Sequence, residues 1–176
     1  MSQAYLELGF HCKHAERQMF VEIAPTPPVV GAQVWPDYDI PEELLDDVLR
    51  LLTLASTDAV YGDLSVEPIV WTRQRLNEAH ARLRSRKAHT LLVGIVEQGR
   101  VVALTELSRH GDADPEVCEW TLTVTEREQR RRGLATHAKQ HAQYAVAHHW
   151  PDVRRAYCSV AQADPAMNAL YKLSLI

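Results

Sequence analysis

One joint constrains this chain more than any other. Cys118-Glu119-Trp120-Thr121-Leu122-Thr123-Val124 alternates apolar and polar residues, the period of a half-buried strand. Read as one regular strand, it puts Cys118, Trp120, Leu122 and Val124 on one face and Glu119, Thr121 and Thr123 on the other. A basic loop follows from Arg127 to Gly133, then a helix from about Leu134 to His149. Ala135, Ala138, Ala142 and Ala145 recur at helical spacing, so this helix can lie close on a sheet. A helix start has unpaired N–H groups and the positive end of the dipole, so it suits phosphate. Gly133 and Ala135 leave the backbone approachable, and Arg130, Arg131 and Arg132 add cationic donors. The loop is neither a Walker loop nor a Gly-x-Gly-x-x-Gly turn.

The rest of the chain frames that joint. Pro25, Pro27 and Pro28 break residues 25–38 into a linker or edge segment. A helix follows from about residue 39, with Pro41-Glu42-Glu43 in its first turn and a stripe of Leu44, Val48, Leu51, Leu52 and Ala55. Thr72 is placed to cap a second helix, with Trp71 stapled on Leu76. Thr90 to Val96 reads as a strand buried on both sides. Gln98-Gly99 is a hairpin turn, and Val101 to Leu107 returns. Pro151 stops the Ala-rich helix, Arg155 to Val160 is a further strand, and Asp164-Pro165 opens a last helix. Antiparallel strands followed by a helix-linked parallel strand predict a mixed sheet with helices on both faces.

Composition narrows the class. The 176 residues are 46% apolar and 24% charged, ordinary for one globular domain. The net charge of −4 gives no basic excess for nucleic acid or an anionic membrane. No apolar run is long enough to span a bilayer. Cys12, Cys118 and Cys158 are too few and scattered for a disulfide or zinc framework, which implies reduced thiols and a cytoplasmic protein. His137 and His141 lie four apart on one helix, but without a third ligand they read as an exposed polar face.

Arg130-x-x-Gly133-x-Ala135 resembles the Arg/Gln-x-x-Gly-x-Gly/Ala signature of the GNAT family of N-acetyltransferases. Gly133-Leu134-Ala135-Thr136 followed by Lys139 is similar to that family's continuation. The resemblance implies an α+β domain with a mixed, mostly antiparallel twisted sheet and helices on both faces. It implies acetyl-CoA as co-substrate, no metal, and acetyl transfer to a primary amine of a small molecule. The backbone of Leu122, Thr123 and Val124 is then expected to pair with the pantetheine arm. The N–H groups of Arg131, Arg132, Gly133, Leu134, Ala135 and Thr136 would hold the pyrophosphate, and Arg130 and Arg132 would neutralise it. The loop lacks the family's proline and is slightly longer, which shifts these assignments by up to one residue. Tyr171 stands where the family often carries its acid, although Ser174-Leu175-Ile176 replaces Leu-Gly-Phe and Asp164 replaces an Asn. Glu106 and Glu119 are the candidate bases, or else surface or ion-paired carboxylates. The alternative is an inactive or truncated unit that only binds CoA or a partner.

Tyr5-Leu6-Glu7-Leu8-Gly9-Phe10 is itself similar to the family's Tyr-x-x-Leu-Gly-Phe, a motif that normally precedes two closing strands. The chain therefore reads as one period of a tandem-domain (mycothiol-synthase-like) member, out of register. Residues 1–24 are expected to be a remnant of closing strands, with Phe10 to His14 and Arg17 to Ile23 as those strands. Residues 39–176 form the acetyltransferase domain lacking its own. The remnant would fill that gap within the chain or between two copies, as a homodimer or strand-swapped pair.

Overall fold

A computed structural model describes residues 7–173. Six strands form one sheet: β1 (Glu16–Glu22), β2 (Ala32–Pro36), β3 (Ala88–Glu97), β4 (Arg100–His110), β5 (Val117–Thr125) and β6 (Arg155–Ala161). Their spatial order is β1-β6-β5-β4-β3-β2. Only β5 and β6 run parallel; the other neighbours are antiparallel. Among the described residues, the helices that cover it are α1 (Glu42–Thr57), α2 (Arg73–Ser85), α3 (Leu134–His149) and α4 (Pro165–Leu173).

The local signals explain these limits. The Thr72 hydroxyl accepts the Arg75 N–H at 3.2 Å and starts α2. Gln98 and Gly99 both take positive φ, the geometry of a two-residue turn between β3 and β4. The helices separate into two layers. Leu44, Val48, Leu51 and Leu52 of α1 and Leu76 of α2 pack with Leu92, Leu104 and Val124 of the sheet. Ala142, Ala145 and Val146 of α3 and Tyr171 of α4 pack on the opposite side with Leu91, Leu107, Trp120 and Cys158.

Residues 25–38 are more than a linker, because β2 pairs with β3 as an edge strand from Ala32↔Ile95 to Pro36↔Leu91. Proline fits the end of an edge strand, where its missing N–H breaks no ladder. At the other edge, β1 pairs along β6 from Glu16↔Ala161 to Glu22↔Arg155 within the one chain. Val21 is fully buried there, and Met19 and Ile23 pack beside it. Phe10 to His14, expected as a strand, is not one. The Lys13 carbonyl is taken instead by the Asp63 N–H at 2.7 Å, in the α1–α2 connection. Tyr5 and Leu6, and Ser174 to Ile176, lie outside the described residues.

The single-face reading of β5 needs correction. Leu107 pairs with Trp120, but Glu106 pairs with Leu122, so Thr121 is an extra residue in a β-bulge. Cys118 and Trp120 face α3, whereas Leu122 and Val124 face α1. Alternation carries no record of this switch, because both faces of the sheet are covered and each half still reads apolar–polar.

Candidate functional site

Within the sheet, β5 and β6 hold together only briefly. They pair at Val117↔Arg155, Cys118↔Ala156 and Glu119↔Tyr157 and then part. β5 continues along β4, and β6 continues along β1. From Trp120 onward β5 therefore presents one edge to a seam without a strand partner, a place where an extended ligand can add as a strand. The Leu122 carbonyl already accepts the Thr105 hydroxyl at 2.8 Å, and the Thr105 oxygen also takes the Trp120 indole N–H at 2.7 Å.

The same strand leads to the loop that opens α3. Asp58, at the end of α1, receives Arg127 at 2.5 Å and also binds Arg130, and Arg50 pairs with Glu126. The Arg127 and Arg130 guanidinium groups, Arg127 foremost, hold the Asp58 carboxyl below its ordinary range. Gly133 precedes α3 with φ 79°, in the left-handed region that favours glycine, and no side chain caps the helix. Arg131, Arg132 and Gly133 are exposed, Ala135 is half-buried and Thr136 exposed, while Leu134 is buried. The loop thus offers an accessible, uncapped helix N-terminus.

The three arginines differ. Arg130 is engaged by Asp58 and donates to the Thr125 carbonyl at 3.2 Å. Arg132 binds Glu97 at 2.9 Å. Both cations expected to neutralise a pyrophosphate are thus already matched by acids. Arg131 makes no ion pair among the described residues, and its φ of 66° sets it apart from its neighbours.

Behind the free edge of β5, the seam is filled by side chains. Lys139 of α3 is 2% exposed. Its Nζ lies 3.3 Å from the Trp120 ring centroid and 3.9 Å from that of Tyr171, and it has no hydrogen-bond partner. Burial pulls this amine down to about 7. Tyr171 is 3% exposed, edge-on to Trp120, and its hydroxyl lies in reach of the Cys158 thiol. Burial, then Cys158, pushes the phenol up.

The candidate carboxylates lie on the other side of the sheet. Glu106 is buried and accepts the Tyr38 hydroxyl at 2.9 Å and the Thr121 hydroxyl at 2.7 Å. Burial pushes its carboxyl up, against the pull of those two donors. Glu119 is exposed, with its carboxylate 3.9 Å from the His110 Nε2. Tyr171 and Glu106 are therefore separated by the sheet, with β5 and its bulge between them. Tyr38 escaped the sequence reading. Two consecutive residues of positive φ, Asp37 and Tyr38, aim it at Glu106, and no periodicity marks such a turn. His141 receives the Val29 N–H at 3.0 Å, and no group of three potential metal ligands occurs among the described residues.

A model of the acetyltransferase (GNAT) family matches residues 52–174. The fold is similar to a tandem GNAT protein from the clavulanic acid biosynthesis pathway (20% identity, 92% of this chain and 49% of that one, TM-score 0.63). It is also similar to an N-acetyltransferase from Staphylococcus aureus (17%, 81% of each chain, TM-score 0.54). A third relative is the PaiA N-acetyltransferase of Thermoplasma acidophilum in complex with coenzyme A (12%, 81% and 87%, TM-score 0.58). This chain spans about half the length of the tandem protein. No curated protein matches the sequence.

Proposed function

Because this chain belongs to the acetyltransferase (GNAT) family, we propose that it moves an acetyl group from acetyl-CoA to a primary amine of a small molecule. The observation that carries this reading is the continuity of an unpaired β5 edge with an uncapped helix N-terminus. The residues present fit the coenzyme: the backbone of Leu122 to Val124 for the pantetheine arm, and the N–H groups of Arg131 to Thr136 for the pyrophosphate. Acetyl-CoA supplies the reactive thioester. Glu106, across the sheet from Tyr171, takes through water the proton that the amine loses, and its burial-raised carboxyl is a better base than an exposed one. Tyr38 and Thr121 fix its orientation by donating to its two oxygens. Tyr171 donates a proton to the departing sulfur. No helix among the described residues is long and apolar enough to cross a membrane, and the proposal places the reaction in the cytoplasm.

A second reading, a module that binds coenzyme or a partner without catalysis, draws on the way Lys139 and Tyr171 fill the seam. Calorimetry with CoA, followed by acetyl-CoA turnover on a panel of small amines, separates the two. Binding with turnover that drops about 100-fold or more in Glu106→Gln supports the enzyme. Binding without turnover of any amine supports the module, and no binding refutes the enzyme and the coenzyme-binding module alike.

A further inference from the structure

Lys139 is the one described residue whose buried ammonium group lacks any hydrogen-bond acceptor. Its Nζ lies over two aromatic faces, at 3.3 and 3.9 Å, with the Cys158 thiol as a further neighbour. Aromatic faces attract a cation but replace only part of the water it has lost. Small neighbours on α3, Ala138 and Ala142, let the helix sit close enough to drive this side chain into the sheet. The place matters as much as the group. Lys139 reaches the ring of Trp120, the residue at which β5 leaves β6 and one position before the bulge. If the pyrophosphate lies at the start of α3 and the arm runs back along β5, the sulfur end arrives at Trp120.

We propose that Lys139 receives the sulfur of the coenzyme, its ammonium pairing with the thiolate that leaves when the amide forms. This rests on the reading of the β5 edge and the α3 start as the coenzyme site. As the carbon–nitrogen bond forms, the carbon–sulfur bond breaks and its electron pair goes to sulfur. The thiolate's charge offsets the burial that otherwise draws the proton off this amine, so Lys139 holds its proton while the pair lasts and supplies charge only. The sulfur takes the Tyr171 proton, which solvent restores, and the amine's proton goes to Glu106. The titratable groups facing Lys139 are Cys158 of β6 and Tyr171 of α4; β5 presents Trp120, and β1 adds apolar Met19 and Val21 to the same cluster.

The test reads the thiol itself and needs no acceptor amine. Reduced CoA bound to the full chain is titrated with pH by its thiolate ultraviolet absorbance, with desulfo-CoA as the blank. The wild type should ionise the bound thiol about one pH unit below free CoA, about tenfold more thiolate near neutrality. Lys139→Met should lose that shift while still binding CoA, and Lys139→Arg should retain it. A lysine that only packs would change stability and leave the thiol titration where it was. Identical midpoints in wild type and Lys139→Met, or a wild-type midpoint at the free value, overturn the proposal. Failure of the wild type to bind CoA at all overturns the underlying coenzyme reading as well. If Lys139→Met does not fold by circular dichroism, Lys139→Gln is titrated with the same expectation.

Discussion

Arg131 is the residue on which the anion site is most exposed to test. Arg127 and Arg130 are spent on Asp58, and Arg132 on Glu97. Arg131→Ala is expected to weaken CoA by about 1.5–3 kcal/mol, the worth of a charge-assisted hydrogen bond, with no change in melting temperature. Calorimetry and a thermal melt check both halves. Gly133→Ala behaves differently. Beyond its two chain neighbours no atom lies within 4 Å of an added Cβ, so its stability cost is that of φ 79° alone, about 1–2 kcal/mol in urea unfolding. Its loss of CoA affinity should exceed that cost, because the methyl group stands where the backbone must be approached. Lys139 and Glu106 give opposite pH dependences. The folded state binds the Lys139 proton less well than the unfolded chain between about 7 and 10.5, so this residue makes stability rise with pH across that window. Lys139→Met should therefore gain most over wild type below pH 7, and its advantage should vanish by about pH 10.5. Glu106 is pushed up by burial, so the folded state holds its proton more tightly. Its contribution falls as pH rises from the ordinary carboxylate range through the raised value, and Glu106→Gln should flatten that fall. Urea midpoints measured across pH read both.

At the scale of elements, β1 is the test of how the sheet is completed. Val21 is fully buried, paired with Ala156 of β6 and part of the cluster that includes α3. Val21→Asp leaves an unpaired charge there, and about 3–5 kcal/mol of stability should disappear in equilibrium unfolding. A much smaller loss would mean that β1 is only laid on the surface. The elements themselves were legible wherever a residue has a local physical duty. Thr72 caps α2, Gln98-Gly99 turns the hairpin, and Pro151 ends α3. The apolar stripe of α1 is as the periodicity placed it. Legibility failed where geometry depends on a partner strand. The bulge at Thr121 is a mismatch in register between β4 and β5, invisible along β5 alone. The paired state of Arg130 and Arg132 depends on Asp58 and Glu97, distant in sequence. Tyr38 reaches Glu106 across 68 positions through a turn with no pattern. Lys139 was legible only as part of the family's continuation after Gly133; its helical position turns it inward.

For the whole molecule, the sheet is completed at one end by a strand from the start of the chain and parts in its middle at the seam. We propose that β1 is a closing strand of the family unit, consistent with its antiparallel seating on β6. That arrangement leaves β5 free on one side along the run that leads into α3, and the functional account depends on that one line of backbone. Amide hydrogen exchange with and without CoA tests it most directly. New protection should concentrate at Leu122 to Val124 and at Arg131 to Thr136. Protection confined to the groove lined by Arg50, Arg100 and Glu126, or no change anywhere, would contradict it.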